Sequence, residues 1–265
     1  MACKIVSVRP NNASKGLSTV PAINLLFDSF TGYPLLFCDS TYLTALRTAA
    51  GSGASIRLMA RKDSKVAIVF GCGLQAKLHI EIIVSEVESL KRIYVWNRTK
   101  ENALSFIQQL SKKFSHLEFL FVEDVGEAVG ESDLIVTCTN ASEPLFEGRR
   151  VKRGAHVCCI GSFQPQNREV DTFLVKNSLC VVDSFEAEET SGEFCIPKEE
   201  GELKKEGNFS LGEIGELINK KEPIRKSGEE ITLFKSVGNA VQDLFISTLV
   251  FQNAKKLGIG KTLTL

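Results

Sequence analysis

The chain has 265 residues, 43% of them hydrophobic and 24% charged, enough for one large or two modest domains with real cores. Lys plus Arg and Asp plus Glu both count 32, so the charge balance argues against nucleic acid or an anionic membrane surface as a partner. No apolar run reaches the ~18 residues that cross a bilayer, and "MACKIVSVRP" lacks the apolar core of a secretory signal, so a cytoplasmic protein is expected.

Residues 4–38 read as short strands and turns. "KIVSV" alternates, "NNASKG" is a loop, and "STVPAINLLFDS" is a long strand. "FTGYP" turns around Thr31-Gly32, and "LLFCD" pairs back. Ser40 as N-cap predicts a helix to about Arg61, with Leu43, Leu46, Ala50 and Ala54 along one side. Gly51 and Gly53 each weaken that helix by about 1 kcal/mol, which points to close packing of another backbone. Arg47 stands inside the small, apolar run "TYLTALRTAAGSG". Burying a guanidinium without a partner costs several kcal/mol, roughly, so an anion is required there.

From Ser64 the pattern alternates strand and helix. "KVAIVF" is a strand, followed by a helix from Leu74 to about Ser85; "RIYVWN" is the next strand, followed by a helix opening near Thr99. "LEFLFV", "DLIVTCT", "HVCCIG" and "LCVVDS" are further strands. Continuous apolar strands separated by helices imply an α/β fold with a parallel sheet covered on both faces. Residues 197–208 read as a polar surface loop, "LGEIGELI" as a short helix, and roughly 237–257 as a long final helix. The expected domains are 1–62, a Rossmann-type domain over 63–235, and 236–265 as a helix returning to the first.

The eight cysteines, Cys3, Cys38, Cys72, Cys138, Cys158, Cys159, Cys180 and Cys195, form no CxxC pair and mostly lie in apolar runs. They read as buried, reduced packing residues of a cytosolic protein, with no zinc site expected. His79 and His156 have no base or ligand partner near in sequence and read as structural.

"VAIVFGCGLQAKLH" carries Gly71-x-Gly73-x-x-Ala76 directly after a strand and at a helix start. Gly71 permits the tight turn, Gly73 lets backbone approach a pyrophosphate, and Ala76 keeps helix and strand close. The first helical N–H groups, on Leu74, Gln75 and Ala76, then face the phosphates. NAD sites place an acid at the end of the second strand to bind the ribose hydroxyls. Here Asn97, 21 positions past Ala76, is followed by Arg98 and Thr99. No carboxylate would repel a 2′-phosphate, Arg98 can pair with it, and Asn97 and Thr99 can donate to it. The expected cofactor is therefore NADP(H), although Arg98 also reads as a solvated charge at a strand end.

With "KIVSVRPNN", "GLSTVPA", "LTALRTAA", "VFGCGLQA", "VWNRTKENA", "SDLIVTCT" and "ITLFKSVGNAVQDL", the chain resembles the ornithine cyclodeaminase/mu-crystallin family over nearly its whole length. "WNRTKENA" is most similar to the mu-crystallin branch, whose members use NADPH and reduce ketimines. The resemblance implies a Rossmann-type doubly wound sheet, a smaller α+β substrate and dimerisation domain, and a homodimer. It implies that Lys4, Thr19 and Arg47 contact a small carboxylate-bearing imine or amino acid, with Arg47 on the carboxylate; without the resemblance, Lys4 reads as a surface residue of the first strand, Thr19 as a strand hydroxyl and Arg47 as a structural ion-pair partner. Cys138 and Thr139, after the "DLIV" strand, are further expected cofactor contacts, and Val237 and Gly238, at the start of the last helix, are expected to face the nicotinamide because a helix N-terminus with glycine suits close approach to a ligand. An ordinary helix cap explains Ser236-Val237-Gly238 nearly as well, and Asp243 reads as a helix-surface contact.

Two departures from the family matter. Cyclodeaminases carry an aspartate where this chain has Phe163, which cannot transfer a proton, so ketimine reduction is expected in place of ornithine cyclodeamination. Family members also have several dozen residues before the position of Lys4, and this chain has three, so part of the substrate domain is expected to be missing. The remaining alternatives are a non-catalytic binder of NADPH and a small ligand, and an amino-acid dehydrogenase or cyclodeaminase of the same family.

Overall fold

Strand alternation builds the first sheet. β1 (Ala2–Val6), β2 (Ala22–Phe27) and β3 (Pro34–Asp39) pair antiparallel in the order β1-β2-β3. Ala22, Asn24 and Leu26 are the buried positions of β2, two residues apart as a strand requires. β2 is shorter than "STVPAINLLFDS" suggests. Pro21 has no N–H for the ladder, and Thr19 lies in a bend where its carbonyl accepts from the Arg9 N–H at 2.8 Å. The Asp28 carboxylate accepts from the Phe30 and Thr31 N–H groups and sets the turn before β3.

The computed structural model describes residues 1–204, 206–220 and 222–263. The chain falls into two compact units, Met1–Thr48 with Gly238–Leu265, and Ala49–Val237. The division at Thr48 lies inside a continuous helix, α1 (Thr41–Met59), ahead of the sequence-based boundary at 62. From Ala49 onward α1 supplies Ile56 and Met59 to the second unit's core. Its buried stripe holds Thr44, Thr48, Ser52, Ser55 and Met59, whereas Ala50 of the expected stripe is exposed. Small hydroxyls can be buried in a helix because they donate back to its carbonyls: Thr48 Oγ1 reaches Thr44 O at 2.7 Å and Ser55 Oγ reaches Ser52 O at 2.8 Å. Gly53 faces the Ile82 side chain, which a Cβ would meet at 2.6 Å. Ser40 holds the N-cap position, its carbonyl accepting from the Thr44 N–H at 2.8 Å, but its hydroxyl makes no hydrogen bond among the described residues, and the Asp39 carboxylate accepts from the Thr41 N–H at 3.1 Å in its place.

In the second unit, β4 (Val66–Phe70), β5 (Arg92–Trp96), β6 (Glu118–Phe121), β7 (Leu134–Thr137), β8 (His156–Cys159), β9 (Ser178–Val182) and β10 (Ile231–Lys235) form one sheet. Its order is β6-β5-β4-β7-β8-β10-β9, with every pair parallel. The connecting helices include α2 (Leu74–Glu86), α3 (Lys100–Lys113), α4 (Val125–Glu131), α5 (Thr172–Lys176), α6 (Ala187–Thr190), α7 (Gly192–Glu199) and α8 (Ile214–Lys220). Alternate residues feed two apolar cores, Ala67 and Val69 on one face and Ile68 and Phe70 on the other. This is the doubly wound α/β architecture, with its topological switch between β4 and β7. The expected loop at 197–208 begins inside α7, where Pro197 keeps a helix-compatible φ, and Leu203 is buried. All eight cysteines are free, but Cys3 is exposed and Cys38, Cys72, Cys138 and Cys195 are only part-buried.

The last helix, α9 (Ala240–Leu257), belongs to the first unit and packs on β1, β2 and β3. It starts at Asn239, whose side chain accepts from the Val241 N–H at 2.8 Å, so Ser236-Val237-Gly238 lies between β10 and the helix rather than in its first turn.

Candidate active site

The dinucleotide signature lies in the second unit at the switch point. Gly71 has φ +108, in the region that favours glycine, and a Cβ there would sit 2.7 Å from the Cys138 carbonyl oxygen. The Cys138 N–H in turn donates to Phe70 O at 2.9 Å, joining the ends of β4 and β7. A Cβ on Gly73 would meet nothing within 4 Å, so the backbone there can be approached closely. No side chain caps α2, which leaves the N–H groups of Leu74, Gln75 and Ala76 for an anion. Ala76 is fully buried, holding helix against strand, and Gln75 Oε1 is buried without a hydrogen bond. A glycine turn with open space and uncapped helix N–H groups fits a dinucleotide pyrophosphate.

Asn97 follows β5 directly and donates from Nδ2 to Thr99 O at 2.9 Å. Thr99 precedes α3 without capping it through its side chain. Arg98 and Thr99 are exposed, and Arg98 makes no ion pair among the described residues. The neighbouring Lys100 is paired with Glu123. Arg98 is thus an exposed cation at the end of β5.

Three expected cofactor contacts have partners within the protein. Thr139 donates both its N–H and its hydroxyl to Glu169 Oε1, each at 2.7 Å. The Val237 N–H points to the Asp183 carboxylate at 3.2 Å, beside Ser236 Oγ donating to the same group at 2.7 Å. Gly238, with φ +95, lies against Arg47: a Cβ there would meet Nη1 at 2.7 Å.

His79 and His156 are buried in the second unit. His79 Nδ1 donates to Gln75 O at 2.7 Å, which leaves Nε2 to accept from Ser52 Oγ at 2.9 Å. His156 pairs with Ser55 Oγ at 3.1 Å and Thr232 Oγ1 at 2.9 Å. Burial pushes the two imidazoles down to about 4 and about 3, respectively, so both are neutral.

In the first unit, the cross-strand partners Lys4 and Asn24 share the sheet face that α9 covers. Asn24 donates to Ser247 Oγ at 2.8 Å. One turn earlier on α9, Asp243 meets Lys4, with Nζ 2.7 Å from Oδ2. Arg47 approaches the same carboxylate, Nε 3.1 Å from Oδ1, and donates from Nη1 to Gln242 Oε1 at 2.9 Å. Asp243 is therefore buried, not a surface contact, because it neutralises part of a two-cation cluster. The Arg47–Asp243 approach is misaligned for a hydrogen bond and is not the planar fork a guanidinium makes with a carboxylate. Two cations against one carboxylate leave one positive charge over. Burial and the Arg47 charge hold the Lys4 ammonium below the ordinary lysine range, against the opposing pull of Asp243. The Thr19 side chain makes no hydrogen bond among the described residues, to Lys4 and Arg47 or to any other group. Phe163 is exposed.

Sequence reasoning missed Asp243 and Gln242 as site residues, although both stand in the quoted block "SVGNAVQDL", and it missed Glu169 in "NREVD". The signal for Asp243 was a lone acid in an otherwise apolar helical stretch.

The chain as a whole is similar to known proteins. A Delta(1)-pyrroline-2-carboxylate reductase of Bacillus cereus is 35% identical over 263 residues, covering 98% of this chain and 79% of the relative. The ketimine reductase mu-crystallin of Mus musculus is 34% identical over 96% of this chain and 76% of its own length. Among solved structures, Thermococcus litoralis Delta(1)-pyrroline-2-carboxylate reductase in complex with NADH and L-proline superposes with a TM-score of 0.93. That match has 35% identity and covers 99% of this chain and 80% of that one. An archaeal alanine dehydrogenase dimer with bound NAD gives 0.92 at 31% identity, covering 100% and 80%. The ornithine cyclodeaminase/mu-crystallin family model matches residues 1–258, and the chain belongs to that family.

Proposed function

We propose that this protein is an NADPH-dependent reductase of small cyclic ketimine acids, delivering hydride to the carbon of a C=N bond. The observation that carries this reading is the Lys4–Asp243–Arg47 cluster, whose uncancelled positive charge suits one substrate carboxylate. A bound reduced nicotinamide supplies the hydride. Arg47 Nη2, beside the Nη1 that Gln242 holds, is assigned to the carboxylate, and Asp243 holds Lys4 and Arg47 close together. Lys4, with its pKa lowered by burial and by Arg47, is the group best suited to give a proton to the imine nitrogen. Thr19 is assigned to the rim of the same substrate site.

The named activities of the Bacillus cereus, Thermococcus litoralis and mouse relatives, all reductions of cyclic imines or ketimines, support the substrate class. Phe163 supports reduction over cyclodeamination, since it offers no acid to act on a substrate amine. The preference for NADPH rests on Asn97-Arg98-Thr99, where no carboxylate stands against a 2′-phosphate. The proposal includes a homodimer, supported by the exposed apolar residues Ile5 and Phe37 on the first unit's sheet, and a cytosolic setting, supported by eight unpaired thiols.

The test mixes protein, NADPH or NADH, and Δ1-pyrroline-2-carboxylate or its six-membered homologue, and follows loss of reduced nicotinamide. Turnover with higher kcat/KM for NADPH is expected. Tight cofactor binding without turnover of any such acid overturns the enzymatic reading.

A further inference from the structure

The second unit holds another buried polar cluster, which the substrate chemistry above does not use. Glu169 is fully buried and its carboxylate accepts four hydrogen bonds, each 2.7 Å long. Oε1 takes the Thr139 N–H and hydroxyl; Oε2 takes the Thr137 hydroxyl and the Gly161 N–H. Behind it, the Glu169 N–H donates to Glu193 Oε1 at 2.9 Å. Glu193 Oε2 is met by Lys235 Nζ at 3.0 Å and by Ser162 Oγ at 2.9 Å, and Lys235 also donates to Ser162 O at 2.6 Å. Lys235 and Glu193 are both essentially inaccessible to solvent.

The donors to Glu169 come from two chain segments, those leaving β7 and β8 at their carboxyl ends. The segments are already in backbone contact: a Cβ on Gly161 would lie 2.0 Å from Thr139 O. Two acids and one lysine out of water are a poor route to stability, because the desolvation of each charge offsets its pairing. Burial raises the Glu169 carboxyl pKa, a standing cost that an apolar side chain would not incur. What the arrangement gives is geometric precision at the carboxyl-end edge of the sheet, over the central strands β7 and β8.

That edge has a specific use if the second unit binds a dinucleotide, and the inference rests on that reading. A pyrophosphate at Gly71–Gly73 and an adenosine ribose at Asn97–Thr99 set the adenine half over β5. The other half must run the opposite way from the switch point, over the ends of β7 and β8. We infer that Glu169 is a positioning residue that fixes the segments 137–139 and 161–162 as the floor for the nicotinamide half of the cofactor. It acts through Thr137, Thr139 and Gly161, while Glu193 and Lys235 hold its own backbone and the neighbouring Ser162.

The test uses the cofactor-free full chain and two probes, NADPH and adenosine 2′,5′-bisphosphate, which is the adenine half alone. Glu169→Gln keeps the shape but brings an NH2 group where two donors already point. It should weaken NADPH binding about tenfold or more, the scale of a lost charge-assisted hydrogen bond. The emission of bound NADPH should shift toward that of free NADPH, while binding of adenosine 2′,5′-bisphosphate changes by less than about twofold. If Glu169→Gln does not fold, Thr139→Val, which removes the hydroxyl donor and keeps the N–H bond, carries the same expectation at smaller size. Unchanged NADPH affinity and emission, with or without a lower thermal midpoint, overturns the inference. So does equal weakening of both probes. A wild-type chain that binds neither probe, and does not bind NADH either, overturns the dinucleotide reading itself, and the inference with it.

Discussion

Replacing Asp243 by Asn tests the two-cation cluster at its centre. The side chains of Lys4, Arg47 and Asp243 are 13%, 9% and 10% exposed, so water screens them little. At an effective dielectric of about 20, contacts of 2.7 and 3.1 Å each correspond to about 5–6 kcal/mol of Coulomb attraction. Desolvation offsets much of this, and removing one partner of such a buried group costs about 3–5 kcal/mol. Asp243→Asn should therefore lower the unfolding free energy by about 3–5 kcal/mol near neutral pH, measured by urea titration. The loss should shrink as pH rises. Asp243 raises the Lys4 pKa, so its removal lets burial and Arg47 push that pKa further down. Between the lowered folded value and the ordinary value of about 10.4, the unfolded chain keeps a proton that the folded chain has released, so stability rises with pH there. The gap between variant and wild type should close by about 1.4 kcal/mol for each further unit the Lys4 pKa falls. Adding Lys4→Met to Asp243→Asn should recover at least about 1 kcal/mol relative to the summed single effects. A gap below about 1 kcal/mol that does not change with pH would refute the reasoning.

Arg98→Ala should raise KM for NADPH by about ten- to a hundredfold while leaving KM for NADH within about twofold, because only the 2′-phosphate contact is removed. Equal effects on both coenzymes would count against a phosphate role for Arg98. Gly71→Ala places a Cβ at φ +108 and 2.7 Å from the Cys138 carbonyl oxygen, so it should lose about 2–4 kcal/mol of stability and most dinucleotide binding. Calorimetric titration of a folded variant with wild-type affinity would contradict this. The buried His79 and His156, near 4 and 3 against about 6.5 when unfolded, make the unfolded chain the better proton acceptor below neutrality. Each should remove about 2 kcal/mol of stability between about pH 7.5 and pH 5. The stability difference between wild type and His156→Gln should narrow by that amount over the same range in urea titrations; a constant difference would contradict it.

The parallel sheet was legible because its central strands are buried on both faces and therefore read as unbroken apolar runs, as in "VAIVF" and "HVCC". β10 was missed as a strand because "ITLFK" is short, ends in lysine, and enters the sheet between β8 and β9 although it is last in the chain. The buried stripe of α1 was misread for a related reason: Thr44, Thr48, Ser52 and Ser55 look polar by type, but back-bonding to the helix lets them lie inside. Arg47 and Lys235 belong to one class of signal, a charge in an apolar stretch, which states that an opposite charge is needed without saying which. Arg47 finds Asp243, some two hundred positions away in sequence; Lys235 finds Glu193 on α7. Register decides such pairings. Lys4 stands opposite Asn24, Asn24 meets Ser247, and Asp243 lies one helical turn from Ser247, so the cross-strand step and the helical step coincide at the carboxylate. A slip of one residue in β1 would turn Lys4 to the opposite face and leave Asp243 with Arg47 alone. The charge balance that suits one substrate carboxylate is therefore a product of strand register as much as of residue identity.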